Sequence, residues 1–436
     1  MKKLLVLLFL WPSLLYAQAD VNAWIMNLNG KKGSYWANTA SPGSPPTFVF
    51  NISPDSADIL KMCYTSDSIW VRCQGLTDNM GQYLNPGDCL AQNYVFRFPR
   101  NPTVATTKVV SPKTGAIGSL LNGVPIYGLS NSYSWNGTEN LPGSGGLGIW
   151  NTEVGLSEGF VLDTAFGAHP QQSGAYHSHT TPYRFYRYAA AGKHSPLVGF
   201  AFDGYPVYGP YGYVTATDST SGVKYMKSGY SLRSITTRTT LPYGVALTPA
   251  QYGPDVSTTY PIGYYCEDYE WLASNGGDLD EYNGRFCVTP EYPAGTYAYF
   301  VTVDATGAAV FPYYIGIDYY GAPDQANFGL TSALTMPTGL SDCLLPETDA
   351  VANVATISSG FSVYPNPSTG HVSLTTAAGK YTDVVICNEV GAVVYTAGIT
   401  NSLTEIDLNA SAGMYFVKCY NKNNGAAEVQ KMVLVN

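Results

Sequence analysis

Val198-Gly199-Phe200-Ala201-Phe202-Asp203-Gly204-Tyr205-Pro206-Val207-Tyr208-Gly209 repeats the pattern of an earlier stretch, Ile117-Gly118-Ser119-Leu120-Leu121-Asn122-Gly123-Val124-Pro125-Ile126-Tyr127-Gly128. Each copy reads as an apolar run, an Asn-Gly or Asp-Gly dipeptide, and a second apolar run. Such dipeptides supply the positive φ that a tight hairpin needs, so both copies predict β-hairpins within one sheet system. Helix-period stretches are confined to Tyr183 to Ala191 and Glu267 to Ser274. The fold class expected is therefore mainly β. No linker interrupts residues 20–345, which are read as one large β-rich domain.

Composition agrees. Gly (45), Tyr (36) and Pro (28) favour strands joined by turns, and only 12% of residues are charged, which argues against disorder. Lys and Arg number 22 against 31 Asp and Glu, with no basic run. A nucleic-acid partner is thereby excluded.

The chain opens Met1-Lys2-Lys3, continues apolar from Leu4 to Leu15, and reaches Tyr16-Ala17-Gln18-Ala19. A basic start, a short apolar run and an Ala-x-Ala site predict a secretory signal peptide over residues 1–19. The run is shorter than the roughly 20 residues that span a bilayer, and no later segment is apolar enough, so the mature chain is expected to lack a membrane span. Eight cysteines follow, none as Cys-x-x-Cys, in an exported setting where disulfides persist. Cys266 with Cys287 and Cys387 with Cys419 are the pairings expected.

Residues 346–360 are small, polar and unpatterned, a linker. Short alternating runs follow over 361–436: Phe361 to Tyr364, Val372 to Leu374, Asp383 to Ile386, Val393 to Tyr395, Met414 to Val417 and Lys431 to Val435. This spacing predicts a small antiparallel β-sandwich. Tyr364-Pro365-Asn366-Pro367, Gly370-His371-Val372, Asn388-Glu389-Val390-Gly391, Ile406-Asp407-Leu408 and Gly413-Met414-Tyr415-Phe416-Val417 resemble the type A sorting domain of the Bacteroidota type IX secretion system. The resemblance implies that residues 361–436 engage that machinery, and that the chain is secreted or attached to the outer cell surface.

Four of the five histidines, His169, His177, His179 and His194, fall within 26 positions. On a strand, His177 and His179 point to one face. Neutral imidazoles suit zinc, copper, nickel or iron, and copper or zinc is the cofactor expected. Asp203 could join the ligands, and it or Asp163 could orient an imidazole from behind. Ordinary imidazoles titrate near 6.5, so affinity is expected to fall in mild acid.

These residues also carry a resemblance. His169-Pro170, Gly174-Ala175-Tyr176-His177-Ser178-His179, Gly192-Lys193-His194-Ser195-Pro196, Phe202-Asp203-Gly204-Tyr205-Pro206-Val207-Tyr208-Gly209, Asp278 to Phe286 and Glu291 to Phe300 resemble the YHYH domain family over roughly residues 60 to 320. The signature's second Tyr is Ser178 here, and cysteines frequent in the family near its histidines are absent.

Three further patterns are read as scaffold. Gly143-Ser144-Gly145-Gly146-Leu147-Gly148 lacks the flanking strand and helix of a dinucleotide loop. Gly155-Leu156-Ser157-Glu158-Gly159 fits a nucleophile elbow without the surrounding α/β pattern. Asp278, Asp280, Glu281 and Asn283 form an acidic turn one residue out of step with a calcium loop. The reading is thus an exported protein binding a transition metal through His169, His177, His179, His194 and Asp203. The alternatives are a surface adhesion or glycan-binding module with structural histidines, and a secreted metalloenzyme.

Overall fold

The computed structural model describes residues 19–345 and 361–434, apart from short breaks at 26, 29, 41–43, 86, 188–191, 330–333, 341, 367, 378, 389–392 and 423–426. Residues 1–18 of the expected signal peptide and the expected linker lie outside the described residues. Two compact units divide after Thr348.

The repeated hairpins form the centre of the first unit. Its large sheet contains β1 (Ala116–Leu120), β2 (Pro125–Tyr127), β3 (Ala168–Pro170), β4 (Tyr176–Ser178), β5 (Leu197–Ala201), β6 (Pro206–Tyr208), β7 (Gly284–Cys287) and β8 (Thr296–Phe300). They are ordered β3-β4-β2-β1-β5-β6-β8-β7. The two hairpins lie back to back, with β1 antiparallel to β5 and Gly118 opposite Ala201, Gly199 opposite Leu120. The glycines permit this approach, because a Cβ on Gly118 would lie 2.6 Å from the Phe200 carbonyl oxygen and one on Gly199 2.4 Å from that of Ser119. In each turn only the glycine takes positive φ, 76° at Gly123 and 86° at Gly204. The Leu120 and Ala201 N–H groups donate to Val124 and Tyr205, and the glycine N–H groups donate back to Leu120 and Ala201. These are three-residue hairpin loops closed by a left-handed glycine.

A four-stranded sheet of Cys343–Leu344, Ile59–Tyr64, Ser68–Cys73 and Tyr94–Pro99 packs on this scaffold. Phe96 meets Phe202, Phe98 meets Phe200 and Phe202, and buried Trp24 stacks on Phe200 at 5.6 Å. Each such aromatic pair contributes about 0.5–1.5 kcal/mol beyond burial.

The disulfide is Cys63–Cys343, closing a separation of 280 residues between paired strands. Both expected pairings are overturned: Cys266, Cys287, Cys387 and Cys419 are free thiols. Cys266 lies against the Leu129 carbonyl and Cys287 ends β7. Cys387 faces Phe416 across the ladder while Cys419 faces Val384; that three-residue offset puts their side chains on opposite faces. The helix expected over Glu267 to Ser274 is also corrected. One 3₁₀ turn, Cys266–Asp268, gives way to strand Tyr269–Trp271, which pairs with Tyr230–Leu232. Asp268 is held inward by a fully buried bidentate ion pair with Arg238, and the pairing overrides helical propensity. The other expected helix reaches a single described turn, Tyr183–Tyr186.

The second unit is the antiparallel sandwich its spacing suggested. One sheet contains Phe361–Tyr364, His371–Thr376 and Leu403–Asp407, and the other Val393–Gly398, Asp383–Asn388, Gly413–Tyr420 and Ala427–Leu434. Val372, Leu374, Val384, Ile386 and Val417 fill its core. Leu403–Asp407 is the strand the alternation missed.

Candidate metal centre

Three of the four expected histidines converge on one end of the large sheet. Strands β3 and β4 form a hairpin closed like the two central ones, with Gln171 N–H donating to Ala175 O, Gly174 N–H to Gln171 O, and Gly174 at a φ of 77°. His169 is the direct cross-strand partner of His177. His179 follows two positions on, which keeps it on the His177 face. One nitrogen from each of His169, His177 and His179 lies within 4.8 Å of the others, and all three side chains are buried.

The hydrogen bonds fix which nitrogens face inward. His177 Nδ1 is 2.8 Å from the Ala175 carbonyl and His179 Nδ1 is 3.1 Å from that of Gly128. A carbonyl only accepts, so both Nδ1 atoms carry hydrogen, and in a neutral ring Nε2 is then a bare lone pair. These two Nε2 atoms stand 2.9 Å apart. The Tyr127 ring stacks on His177 at 3.9 Å and holds it in place. Burial, reinforced by the charges of His179 and His169, pushes His177 well below the ordinary imidazole range. Burial and then His169 bring His179 down to about 4, against the opposing pull of Glu158.

Glu158 was missed in the sequence, although it lies inside the pattern set aside as a false nucleophile elbow. Glu153 caps the one-turn helix Val154–Ser157 by accepting the Gly155 and Leu156 N–H groups, and Glu158 ends that helix. Its Oε2 lies 3.2 Å from His169 Nε2 and 3.8 Å from His179 Nε2. Burial works against its charge, but His169 and then the charge of His179 hold the carboxyl below its usual value. The His169 Nδ1 atom is buried without a hydrogen-bond partner. Ser157 Oγ donates to the Glu153 carbonyl, so it is a helix residue and no nucleophile of this group. A cavity of about 600 Å³ opens onto Glu158 and the three histidines.

His194 and Asp203 lie elsewhere. Four strand steps separate β4 from β6, about 19 Å at the usual spacing, and His194 packs against Tyr208 of β6, Tyr213 and Phe300. Its Nδ1 donates to Ser195 O, and burial lowers its pKa. Asp203 is the counterpart of Asn122 in the repeated turn; each accepts the N–H two residues on. Asp203 also accepts from Tyr299 OH at 2.5 Å and Gly321 N–H at 2.9 Å, and complete burial raises its pKa to about 6. Both are therefore corrected as ligands of the ion the other three would share. Asp163 accepts the Ala165, Phe166 and Gly81 N–H groups and the Tyr176 hydroxyl, so it braces the loop before His169. Ser178, where the family signature has Tyr, donates to Phe166 O and sits 2.6 Å from the Tyr314 hydroxyl. The acidic turn is likewise engaged: Asp280 accepts from Tyr282, Gly284 and Tyr297, and Asp278 pairs with Lys224.

Residues 95–311 match the family described as YHYH protein, and residues 362–435 match the secretion system C-terminal sorting domain. No curated protein matches the chain. A solved structure of PorZ, a bacterial surface component of the type IX secretion system of Porphyromonas gingivalis, is 12% identical with a TM-score of 0.17. That match covers 93% of this chain and 56% of PorZ, so the chain spans little more than half of that protein's length. No helix among the described residues is long and apolar enough to cross a membrane. The sorting domain marks the chain for type IX export to the cell surface or beyond it, and makes that machinery its partner.

Proposed function

For a chain that carries a YHYH domain and a type IX sorting domain, we propose that the YHYH domain binds one transition-metal ion through His169, His177 and His179, with Glu158 beside it. The observation that carries this reading is the 2.9 Å separation of two Nε2 lone pairs whose rings are locked by their Nδ1 hydrogen bonds. Two bare lone pairs at that distance repel unless a cation lies between them. A shared proton is disfavoured, since burial pushes both rings toward the neutral form. Ligand atoms of a tetrahedral zinc ion lie roughly 3.3 Å apart, a spacing between the 2.9 Å of the Nε2 pair, which would open slightly around the ion, and the 4.8 Å that bounds the group. The group contains no sulfur ligand, so zinc suits it better than copper(I).

A catalytic role is the second reading, favoured by the cavity that reaches the histidines and by Glu158. Three protein ligands with one side open is the pattern of catalytic rather than structural zinc sites. Such an ion lowers the pKa of bound water to about 7. Glu158, kept ionised, would accept a proton from a group bound in the cavity, and the Ala175 and Gly128 carbonyls would hold the imidazoles in register. Anchoring at the cell surface after export is part of the same proposal.

The test is element analysis of untagged protein. One equivalent of zinc or copper is expected, and the double variant His177→Ala, His179→Ala should contain less than a tenth of it while remaining folded. A metal-free wild-type protein that takes up no zinc or copper on titration overturns the reading.

A further inference from the structure

We infer that the cavity over the histidines binds an uncharged, polyhydroxylated ligand, a neutral oligosaccharide. The inference shares its cavity with the proposed metal centre but rests on the lining rather than on the ion. Asn85, Gln92, Asn131, Gln171, Gln172 and Ser173 line it, no Lys or Arg does, and Glu158 is its one carboxylate among the described residues. Other cavities differ: one is lined by Asp20, Arg100 and Glu291, another by Lys31, Asp58, Asp78 and Arg184. An anion would find no side-chain cation here.

Three features point to a sugar. Ser130 Oγ is buried at 2% exposure, lines the cavity and has no hydrogen-bond partner; an orphaned hydroxyl of this kind costs about 1–3 kcal/mol unless a ligand or water satisfies it. Asn85 and Gln92 commit their amide nitrogens to backbone carbonyls of Pro170, Leu90 and Ser173, which leaves each side-chain oxygen to accept from a hydroxyl. Tyr133 lines the same cavity with 41% of its surface exposed, giving an aromatic surface on which a pyranose can pack.

An extended peptide fits less well, because the nearby sheet edge is closed to it. On edge strand β3 the Ala168 carbonyl accepts from Asp163, the Pro170 carbonyl accepts from Asn85, and Pro170 has no N–H. Little of the main-chain ladder that holds an added strand is left.

The experiment is calorimetric titration of the full untagged chain, with and without EDTA, against cellohexaose, laminarihexaose, xylohexaose, mannohexaose and chitohexaose, with hexagalacturonate as the charged control. In EDTA, where the lining alone decides, at least one neutral hexasaccharide should bind with a Kd below 1 mM and hexagalacturonate at least tenfold more weakly. Tyr133→Ala and, separately, Gln172→Ala should weaken binding, the former at least tenfold, with metal content unchanged. Binding by no neutral oligomer, preference for the uronate, or affinity indifferent to both substitutions overturns the inference. Sugar binding by a chain that takes up no metal sinks the metal reading alone, and metal uptake without sugar binding sinks this one alone.

Discussion

Ordinary imidazoles lose their affinity for metals as pH falls through 6.5, and the sequence alone leads to that expectation here; burial of the rings predicts a much shallower fall. Consider zinc affinity of the apo-protein measured at pH 7 and pH 5. An imidazole with pKa 6.5 is about 76% neutral at pH 7 and about 3% at pH 5, a loss of roughly 25-fold per ligand and about 600-fold for two. His179 is held near 4 by burial and by the His169 charge; it is still about 90% neutral at pH 5 and contributes only about 1.1-fold. His177 is pushed in the same direction, well below 6.5, by its burial and then by the charges of His179 and His169. Glu158 keeps its charge over the same interval because its carboxyl lies below the usual value. The loss from these two rings together should therefore be far less than the roughly 600-fold expected of ordinary imidazoles. Competition titrations with a chelator of known pH dependence read it directly, and calorimetry in two buffers counts the protons released. A loss of several hundredfold, or release of two protons per zinc near pH 5.5, would show that these rings titrate as exposed ones do and would refute the reasoning.

Three other outcomes follow from the same geometry. In the apo-protein, His179 binds its proton near pH 4 when folded but near 6.5 when unfolded; between those values the unfolded chain holds more protons. Stability is thus fully present above 6.5 and falls by about 3 kcal/mol by pH 4, a decline that denaturant melts should record and that His179→Phe should blunt. Glu158→Gln should preserve the fold yet weaken zinc binding about 10- to 100-fold, read by the same chelator competition; unchanged affinity would remove Glu158 from the site. Arg238→Ala leaves Asp268 charged in a fully buried position, so it should cost about 3–5 kcal/mol. Arg238→Met with Asp268→Leu should recover most of that loss in thermal melts.

What the sequence disclosed and what it withheld separate along one line: local rules read well and long-range closure did not. The hairpins were legible because each turn is written in adjacent residues, and their union through β1 and β5 was foreshadowed by Gly118 and Gly199, equivalent positions of the repeat. His177 and His179 were paired correctly because a strand's period of two needs no tertiary knowledge. His194 was drawn in by nearness along the chain, yet four strand spacings intervene. Asp203 was drawn in as a carboxylate at a nearby turn, when its equivalence to Asn122, already visible in the repeat, marked it as a turn residue. That equivalence is the better guide: an Asp that replaces an Asn in a duplicated turn inherits the turn's hydrogen bond before it inherits any ligand.

Glu158 and the Cys63–Cys343 bridge failed to appear for the opposite reason, since nothing local marks either. Glu158 reaches the histidines only because Glu153 caps a single helical turn that starts from the Leu129 carbonyl, one residue from the Gly128 carbonyl that holds His179. The segment from Tyr127 to Leu129 therefore sets three parts of the site together, stacking His177, fixing the His179 tautomer and launching the turn that ends at Glu158. Gly128 itself allows no substitute, because a Cβ there would lie 2.0 Å from the Pro112 carbonyl oxygen. The first repeated hairpin, which contains no histidine, is thus what assembles the histidine cluster, and this could be read only once the fold had brought β2 beside β4.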